Sequence, residues 1–125
     1  MATKNKTSGA RGTTGTSARA YVEAACEYVD KNFQNDISVT DIAAHVAIDR
    51  TYLFKLFRSS KGISPSRYLR LVRLEYARSL IAKGQTPISE VPTMSGFRTR
   101  SRFTELFKAE FGVSPKEYAK TVKNQ

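Results

Sequence analysis

The chain contains an internal repeat, and this repeat constrains the fold more than any other feature of the sequence. Residues 49–68 align with residues 99–118 at an offset of 50, and seven of the twenty aligned pairs are identical. The identical pairs are Arg50/Arg100, Leu56/Leu106, Phe57/Phe107, Gly62/Gly112, Ser64/Ser114, Pro65/Pro115 and Tyr68/Tyr118. Upstream, four positions correspond at an offset of 49: Val39/Ile88, Ile42/Val91, Ala47/Gly96 and Ile48/Phe97. Two copies in register predict a fold built from two similar units.

Apolar residues recur at helical spacings, whereas period-two alternation is never sustained, so the sequence predicts an all-α fold. Ser38, followed by Asp41, is typical of a helix N-cap, and Ser64-Pro65 is typical of a helix start. The spacing predicts seven helices and no strands. They are expected over about 18–34, 39–46, 49–61, 65–83, 88–95, 99–111 and 115–122.

Each repeat unit consists of a short predicted helix, a tight turn and a longer helix with basic and polar exposed positions. This is the pattern of a helix-turn-helix, present twice. The sequence therefore predicts a first helix-turn-helix subdomain over 18–64, a long connecting helix over 65–83 and a second subdomain over 84–125. Residues 1–17 are rich in Gly, Thr and Ser and carry three basic residues, so we expect a disordered basic tail or a linker remnant.

The charge is unevenly distributed along the chain. The formal net charge is +10, but residues 18–48 carry −3, residues 49–83 carry +7 and residues 84–125 carry +3. Such a balance predicts an anionic partner, either nucleic acid or an acidic membrane surface. A membrane module needs an exposed apolar face, and the helix pairs use the apolar positions, so we expect no membrane partner.

Few residues are available for chemistry. Cys26 is the one cysteine and His45 the one histidine, which leaves no disulfide framework and no cysteine or histidine metal cluster. We found no nucleophile–base pair and no phosphate-cradling loop, so we expect no catalytic residue, no metal, no cofactor and no enzymatic activity. The sequence has no secretory signal and no apolar run of spanning length, which predicts a cytoplasmic protein.

One set of residues carries a family resemblance: Gly96-Phe97, Phe103, Phe107-Lys108, Phe111 to Pro115, and Tyr118. With these residues the sequence resembles the DNA-binding domain of the AraC/XylS family of bacterial transcription regulators, over about 18–122. The resemblance implies a long helix between two units and insertion of both recognition helices into successive major grooves of double-stranded DNA. It also implies activation more often than repression, contact with RNA polymerase, and monomeric binding when the domain stands alone.

The helical pattern also selects candidate base-reading positions. In the first recognition helix the core positions leave Arg50, Thr51, Phe54 and Lys55 on the opposite face, and in the second they leave Arg100, Ser101, Thr104 and Glu105. The family's base contacts, carried over by alignment, fall on the same residues apart from Arg50. We expect Arg100 and Lys55 to reach guanine, Glu105 to accept from cytosine and Phe54 to contact a thymine methyl.

Four basic residues flank these positions and are candidates for phosphate contacts, namely Arg58, Arg98, Arg102 and Lys108. Alternatives stay open. Arg58 and Lys108 are otherwise solvated charges, Phe54 is otherwise partly packed in the core, and Glu105 otherwise pairs with Arg102 or Lys108. On the connecting helix, four arginines are expected to be solvated or ion-paired: Arg67, Arg70, Arg73 and Arg78. Tyr68 and Tyr118 are expected to pack their helix pairs together.

Two residues depart from the family pattern. Pro92 lies inside the short helix of the second unit, where it is expected to distort or shorten that helix. Ala47 occupies the turn position where glycine is common, which is acceptable if its φ stays negative. The leading hypothesis is a sequence-specific DNA-binding transcription regulator, and the alternative is a non-specific or architectural basic DNA-binding protein.

Overall fold

The computed structural model describes residues 14–124, and side chains from residue 18 onward. This part of the chain contains seven α-helices and no β-strand, which confirms the all-α prediction. The helices are α1 Thr14–Asn32, α2 Val39–Val46, α3 Arg50–Lys61, α4 Pro65–Lys83, α5 Val91–Met94, α6 Arg100–Phe111 and α7 Pro115–Lys123.

Two helices differ from their predicted bounds. Helix α1 begins at Thr14, so residues 14–17 are helical and do not belong to the predicted tail. The rest of that tail lies outside the described residues. The segment predicted as one short helix over 88–95 is a 3₁₀ turn, Ile88–Glu90, followed by α5. Pro92 thus shortens the helix as expected, because it lacks the N–H that a continuous helix needs.

Side-chain caps fix where the helices begin. The Ser38 N–H donates to Asp41 at 2.8 Å and the Asp41 N–H donates back to Ser38 Oγ, which completes the predicted capping box of α2. The predicted Ser64 cap of α4 is also present, accepting from the Arg67 N–H at 3.2 Å. Asp49 caps α3 and Thr99 caps α6. Both recognition helices therefore start at defined residues.

The turn between α2 and α3 corrects one expectation. Ala47 has φ 61° and ψ 39°, so the negative φ under which alanine is acceptable at this position is not present. The left-handed conformation lets the Ala47 N–H bond to Ala44 O and the Ile48 N–H bond to Ala43 O, which satisfies carbonyls at the end of α2. The geometry of the turn therefore overrides the preference of the alanine side chain.

Two hydrophobic cores lie side by side. In the first, α1 packs across α2 and α3 and buries Val29, Ile42 and Phe57 completely. In the second, Val91, Phe103 and Phe107 are buried against the distal half of α4. The Tyr68 ring packs on Phe57 and the Tyr118 ring on Phe107, with centroids 5.7 and 6.1 Å apart, as the repeat predicted.

Helix α4 belongs to both units. Its 19 residues span about 28 Å, with Leu69 in the first core and Leu74, Ala77, Leu80 and Ile81 in the second. In the repeat, α4 is the last helix of the first unit, as α7 is of the second. Helix α4 also packs under the second unit in the way that α1 packs under the first. Helix α4 thus connects the units that contain the two recognition helices, α3 and α6.

Candidate nucleic-acid interface

The outward face of α3 has the residues that the sequence selected. Leu53 and Phe57 are buried, whereas Thr51, Phe54 and Lys55 are exposed. Phe54 is 49% exposed, so it is not packed in the core, and the alternative considered for it is wrong. An exposed aromatic side chain between polar neighbours gives this face one apolar contact point.

Each recognition helix borders a groove, and the two grooves are equivalent in the repeat. The first groove lies between the starts of α2 and α4, and all four base-reading candidates of α3 line it: Arg50, Thr51, Phe54 and Lys55. The second groove lies between Ile88 and the start of α7, and Arg100 and Thr104 line it. Ser101 and Glu105 are exposed on α6 but do not line this groove.

Two of the residues predicted to contact phosphates are arginines that form ion pairs with carboxylates in this structure. Arg102 Nη1 donates to Glu105 Oε1 at 2.7 Å, which is the alternative left open for Glu105. Arg98 pairs with Asp36 of the first unit. Both pairs are exposed, and exposed ion pairs contribute little, so a phosphate can compete for either arginine. Arg58 and Lys108 are exposed on the outer faces of α3 and α6.

A cleft between the units gathers basic side chains that the sequence did not bring together. Arg70 and Arg73 of α4 line it together with Arg98, Arg102 and Asp36. It shares Val39 and Ser66 with the first groove. The cleft is therefore a basic surface that joins the first groove to the start of α6.

The arginines of α4 are only partly as expected. Arg67 pairs with Glu110 at 3.2 Å and Arg78 with Glu75 at 2.6 Å, which confirms ion pairing for both. Arg73 has no ion pair among the described residues; it is half-buried and donates to the backbone carbonyls of Phe33 and Asn35. Burial lowers the pKa of Arg73. Backbone acceptors some 40 residues away leave no signal in the sequence.

The remaining candidate groups serve packing. Burial raises the pKa of the Cys26 thiol, and the side chain of Cys26 interacts with Tyr68. The His45 ring stacks on Tyr28 with centroids 4.3 Å apart. Within residues 14–124 no three His, Cys, Asp or Glu side chains are placed to hold a metal ion. In the same range, no helix combines the length and apolarity that crossing a bilayer requires.

Comparison with known proteins identifies the family of this domain. The sequence profile of a helix-turn-helix domain matches residues 42–121, well over half of the chain. Structural neighbours include a transcriptional regulator of the AraC-type DNA-binding domain-containing proteins from Chromobacterium violaceum, with a TM-score of 0.77 and 25% identity over 86% of this chain and 96% of that one. The chain belongs to the AraC family. Its fold is that of the DNA-binding domains of transcription regulators.

Other AraC-family proteins agree with this placement. The C-terminal domain of AraT, a response regulator from Geobacillus stearothermophilus, superposes with a TM-score of 0.77 at 30% identity over 81% of this chain and 84% of that one. The probable transcriptional regulator LumQ of Photobacterium leiognathi is 34% identical over 73% of this chain and 37% of its own length. The lactose operon transcription activator of Staphylococcus xylosus is 33% identical over 78% of this chain and 35% of its own. The chain spans about a third of the length of these curated relatives.

Proposed function

We propose that this domain recognises a specific DNA sequence composed of two blocks, each read by one recognition helix in successive major grooves. The observation that carries the proposal is the pair of repeat-related grooves along α3 and α6. Arg50 and Arg100 are equivalent and identical, but Phe54 in the first groove corresponds to Thr104 in the second, so the two helices favour different bases. An asymmetric site of two unlike blocks follows.

The first block is read by α3. Lys55 donates to guanine O6 or N7, and Thr51 bonds to a neighbouring base edge. Phe54 supplies an apolar contact for the methyl group of thymine, which its 49% exposure permits. Arg50, at the first turn of α3, completes the base-facing set.

The second block is read by α6. Arg100 forms a bidentate pair with guanine, and Ser101 and Thr104 bond to adjacent base edges. Glu105 accepts from cytosine N4 once Arg102 leaves it for a phosphate. That exchange is favourable because an exposed Arg–Glu pair contributes little, while a phosphate contact releases counterions.

Phosphate contacts set the register of the domain on DNA. Arg58 and Lys108, one at the same position of each recognition helix, and Arg98 and Arg102 at the cleft are the residues that we assign to this role. Their contribution is independent of sequence and decreases with salt. They orient the helices, while the base-reading residues of α3 and α6 discriminate between bases.

We further propose that the domain binds as a monomer and that the regulator activates transcription through RNA polymerase. One chain carries both recognition helices, so a single copy covers both blocks. The lactose operon regulator of Staphylococcus xylosus is named as an activator, and its similarity supports the same direction of regulation here.

The second candidate is a non-specific, architectural DNA-binding protein, which the net charge of +10 favours. Selection from a random pool of duplexes, followed by sequencing of the bound fraction, separates the two. The proposal predicts two enriched blocks separated by about one helical turn, 10–10.5 base pairs. An absence of enrichment, or one motif shorter than a single block, would reject it.

A matched pair of variants on α3 tests the division of labour. Lys55→Ala should relax the preference at one base position, because it removes a base contact. Arg58→Ala should weaken binding to all duplexes alike and lower the salt slope by about one, because it removes a phosphate contact. Both changes remove one exposed positive charge from the same helix, so equal effects on specificity would contradict the assignment.

A further inference from the structure

The two units touch at a contact that the repeat does not predict. The loop after α1, residues 33–36, lies against the turn between α5 and α6, residues 94–98, and Arg73 of α4 contacts that loop and borders the turn. We call this contact the clasp. It joins the first unit to the turn that leads into the second recognition helix.

Arg73 forms the centre of the clasp. Its Nε donates to Phe33 O at 2.8 Å and its Nη2 donates to Asn35 O at 2.9 Å. These carbonyls lie just past the end of α1, where the partial negative charge of the helix dipole stabilises a cation. Charge-assisted hydrogen bonds in a half-buried site are stronger than surface ion pairs. Arg73 therefore links the loop at the C-terminal end of α1 to the connecting helix α4.

Gly96 shows that the approach of the second unit is close. It has φ +92°, and a Cβ at this position would overlap the Phe33 carbonyl oxygen and lie 2.8 Å from Arg73 Nε. The repeat supplies a comparison, because Ala47 occupies the equivalent turn with φ 61°. The helix-turn-helix turn thus accepts alanine. Glycine is required at residue 96 by the contact between the units.

Three further contacts close the clasp. Gln34 Nε2 donates to Met94 O at 2.9 Å. The rings of Phe33 and Tyr76 meet edge to face, with centroids 5.0 Å apart. At its outer edge Arg98 pairs with Asp36. The Gln34 and Asp36 contacts hold the turn before α6 in one place relative to the first unit, and the Phe33–Tyr76 contact holds the same loop against α4.

We propose that the clasp makes the domain selective for the number of base pairs between the two blocks, with Arg73 as the positioning residue. The inference rests on the proposed function. One added base pair moves the second block by about 3.4 Å and rotates it by about 35°. If α4 alone joined the two recognition helices, the protein could adapt to the new spacing by bending. With the clasp in place, the new spacing strains either the protein or the DNA.

The variants are designed so that each has a matched control in the full chain. Gly96→Ala forces the clasp apart, and its control is Gly62→Ala, which introduces an alanine at φ +77° in open space. Arg73→Met removes the two hydrogen bonds and keeps the apolar stem. Its control is Arg78→Met, which removes the same charge from α4 at a residue that pairs with Glu75 and covers Phe111.

The measurement is affinity for duplexes that carry the two selected blocks at the selected spacing and with one base pair added or removed. We expect the wild type and both controls to lose about tenfold or more on the altered duplexes. We expect Gly96→Ala and Arg73→Met to lose less than about threefold, since their units adjust to the new spacing. Equal discrimination in all five proteins would overturn the inference.

A second measurement, on the free protein, tests whether the clasp fixes the relative orientation of the two units. Residual dipolar couplings of α3 and α6 should fit one alignment tensor in the wild type and the controls, and two different tensors in Arg73→Met. A single shared tensor in Arg73→Met would contradict the clasp. Failure of the proposed function is a distinct result, because the wild type would then select no two-block motif at all.

Discussion

The two helix-turn-helix units share one topology and differ in how their first helix and core are built. In the first unit α2 has eight residues and a capping box, and the core is mostly aliphatic. In the second, a 3₁₀ turn and the four-residue α5 replace α2, and a row of four aromatic rings packs beside the aliphatic residues of the core. That row consists of Phe97, Phe103, Phe107 and Phe111, with successive centroids 4.7–5.6 Å apart.

The difference shows which features the motif requires. Both units keep a capped recognition helix of twelve residues, a central buried phenylalanine and a tyrosine packed on it. Regularity of the preceding helix is dispensable. The recognition helix is thus positioned by its own N-cap and by its core contacts, and less by the helix before it.

The largest expected effect on stability is the loss of a buried ring, and its size should differ between the two cores. Phe57→Ala and Phe107→Ala each remove a fully buried ring and should lower the free energy of unfolding by about 3–5 kcal/mol. Phe107→Ala should be the more costly, because Phe107 packs on the rings of Phe103, Phe111 and Tyr118. Urea unfolding measures both. A larger loss for Phe57→Ala would contradict the aromatic account of the second core.

The next largest effect on stability is expected at an unsatisfied buried hydroxyl group in the second unit. Ser95 is fully buried and its hydroxyl has no hydrogen-bond partner among the described residues, whereas the equivalent residue of the first unit is Val46. Ser95→Ala removes a desolvated polar group and should raise the free energy of unfolding by about 1 kcal/mol.

The control for this change is Ser64→Ala. Its hydroxyl caps α4, so the same substitution should lower stability by about 1 kcal/mol. Opposite signs in thermal melts are the expected outcome. Destabilisation by Ser95→Ala would show that its hydroxyl has a partner, such as a buried water.

A smaller effect is expected at the turn of the first unit. Ala47 is exposed and left-handed, a conformation that costs an L-residue about 1–2 kcal/mol, and glycine avoids this strain at some cost in chain entropy. Ala47→Gly should therefore raise the free energy of unfolding by about 0.5–1 kcal/mol, measured by urea denaturation. A loss of stability would mean that the turn is not strained.

The smallest effect depends on pH. The Ser114 N–H donates to Glu117 at 2.9 Å and lowers the pKa of that carboxyl, whereas the equivalent residue of the first unit, Arg67, cannot complete such a box. A carboxyl with a lowered folded-state pKa stabilises the fold above its unfolded pKa, and the contribution disappears as the pH falls through the folded value.

Glu117→Gln removes this ionisation while keeping an acceptor. The melting temperatures of wild type and variant should therefore differ most near about pH 7 and converge towards about pH 3. A difference that is constant over this range would exclude the carboxylate as its source.

Much of this architecture could be predicted because the repeat, the caps and the helical spacing are local signals. Those signals suffice to place Arg50, Thr51, Phe54 and Lys55 on one face, and all four line the first groove. The left-handed Ala47 was not predicted, because the carbonyls of the preceding helix determine that conformation. Arg73 was assigned to solvent or an ion pair, since its true partners are backbone carbonyls that the sequence does not distinguish.

Each recognition helix is proposed to read its own block of one asymmetric site. Selection from random duplexes with the wild type, Lys55→Ala and Arg100→Ala in parallel tests it most directly. We expect two blocks for the wild type, with Lys55→Ala relaxing one position of one block and Arg100→Ala relaxing one position of the other. Relaxation of the same block by both variants, or an unchanged motif in both, would contradict it.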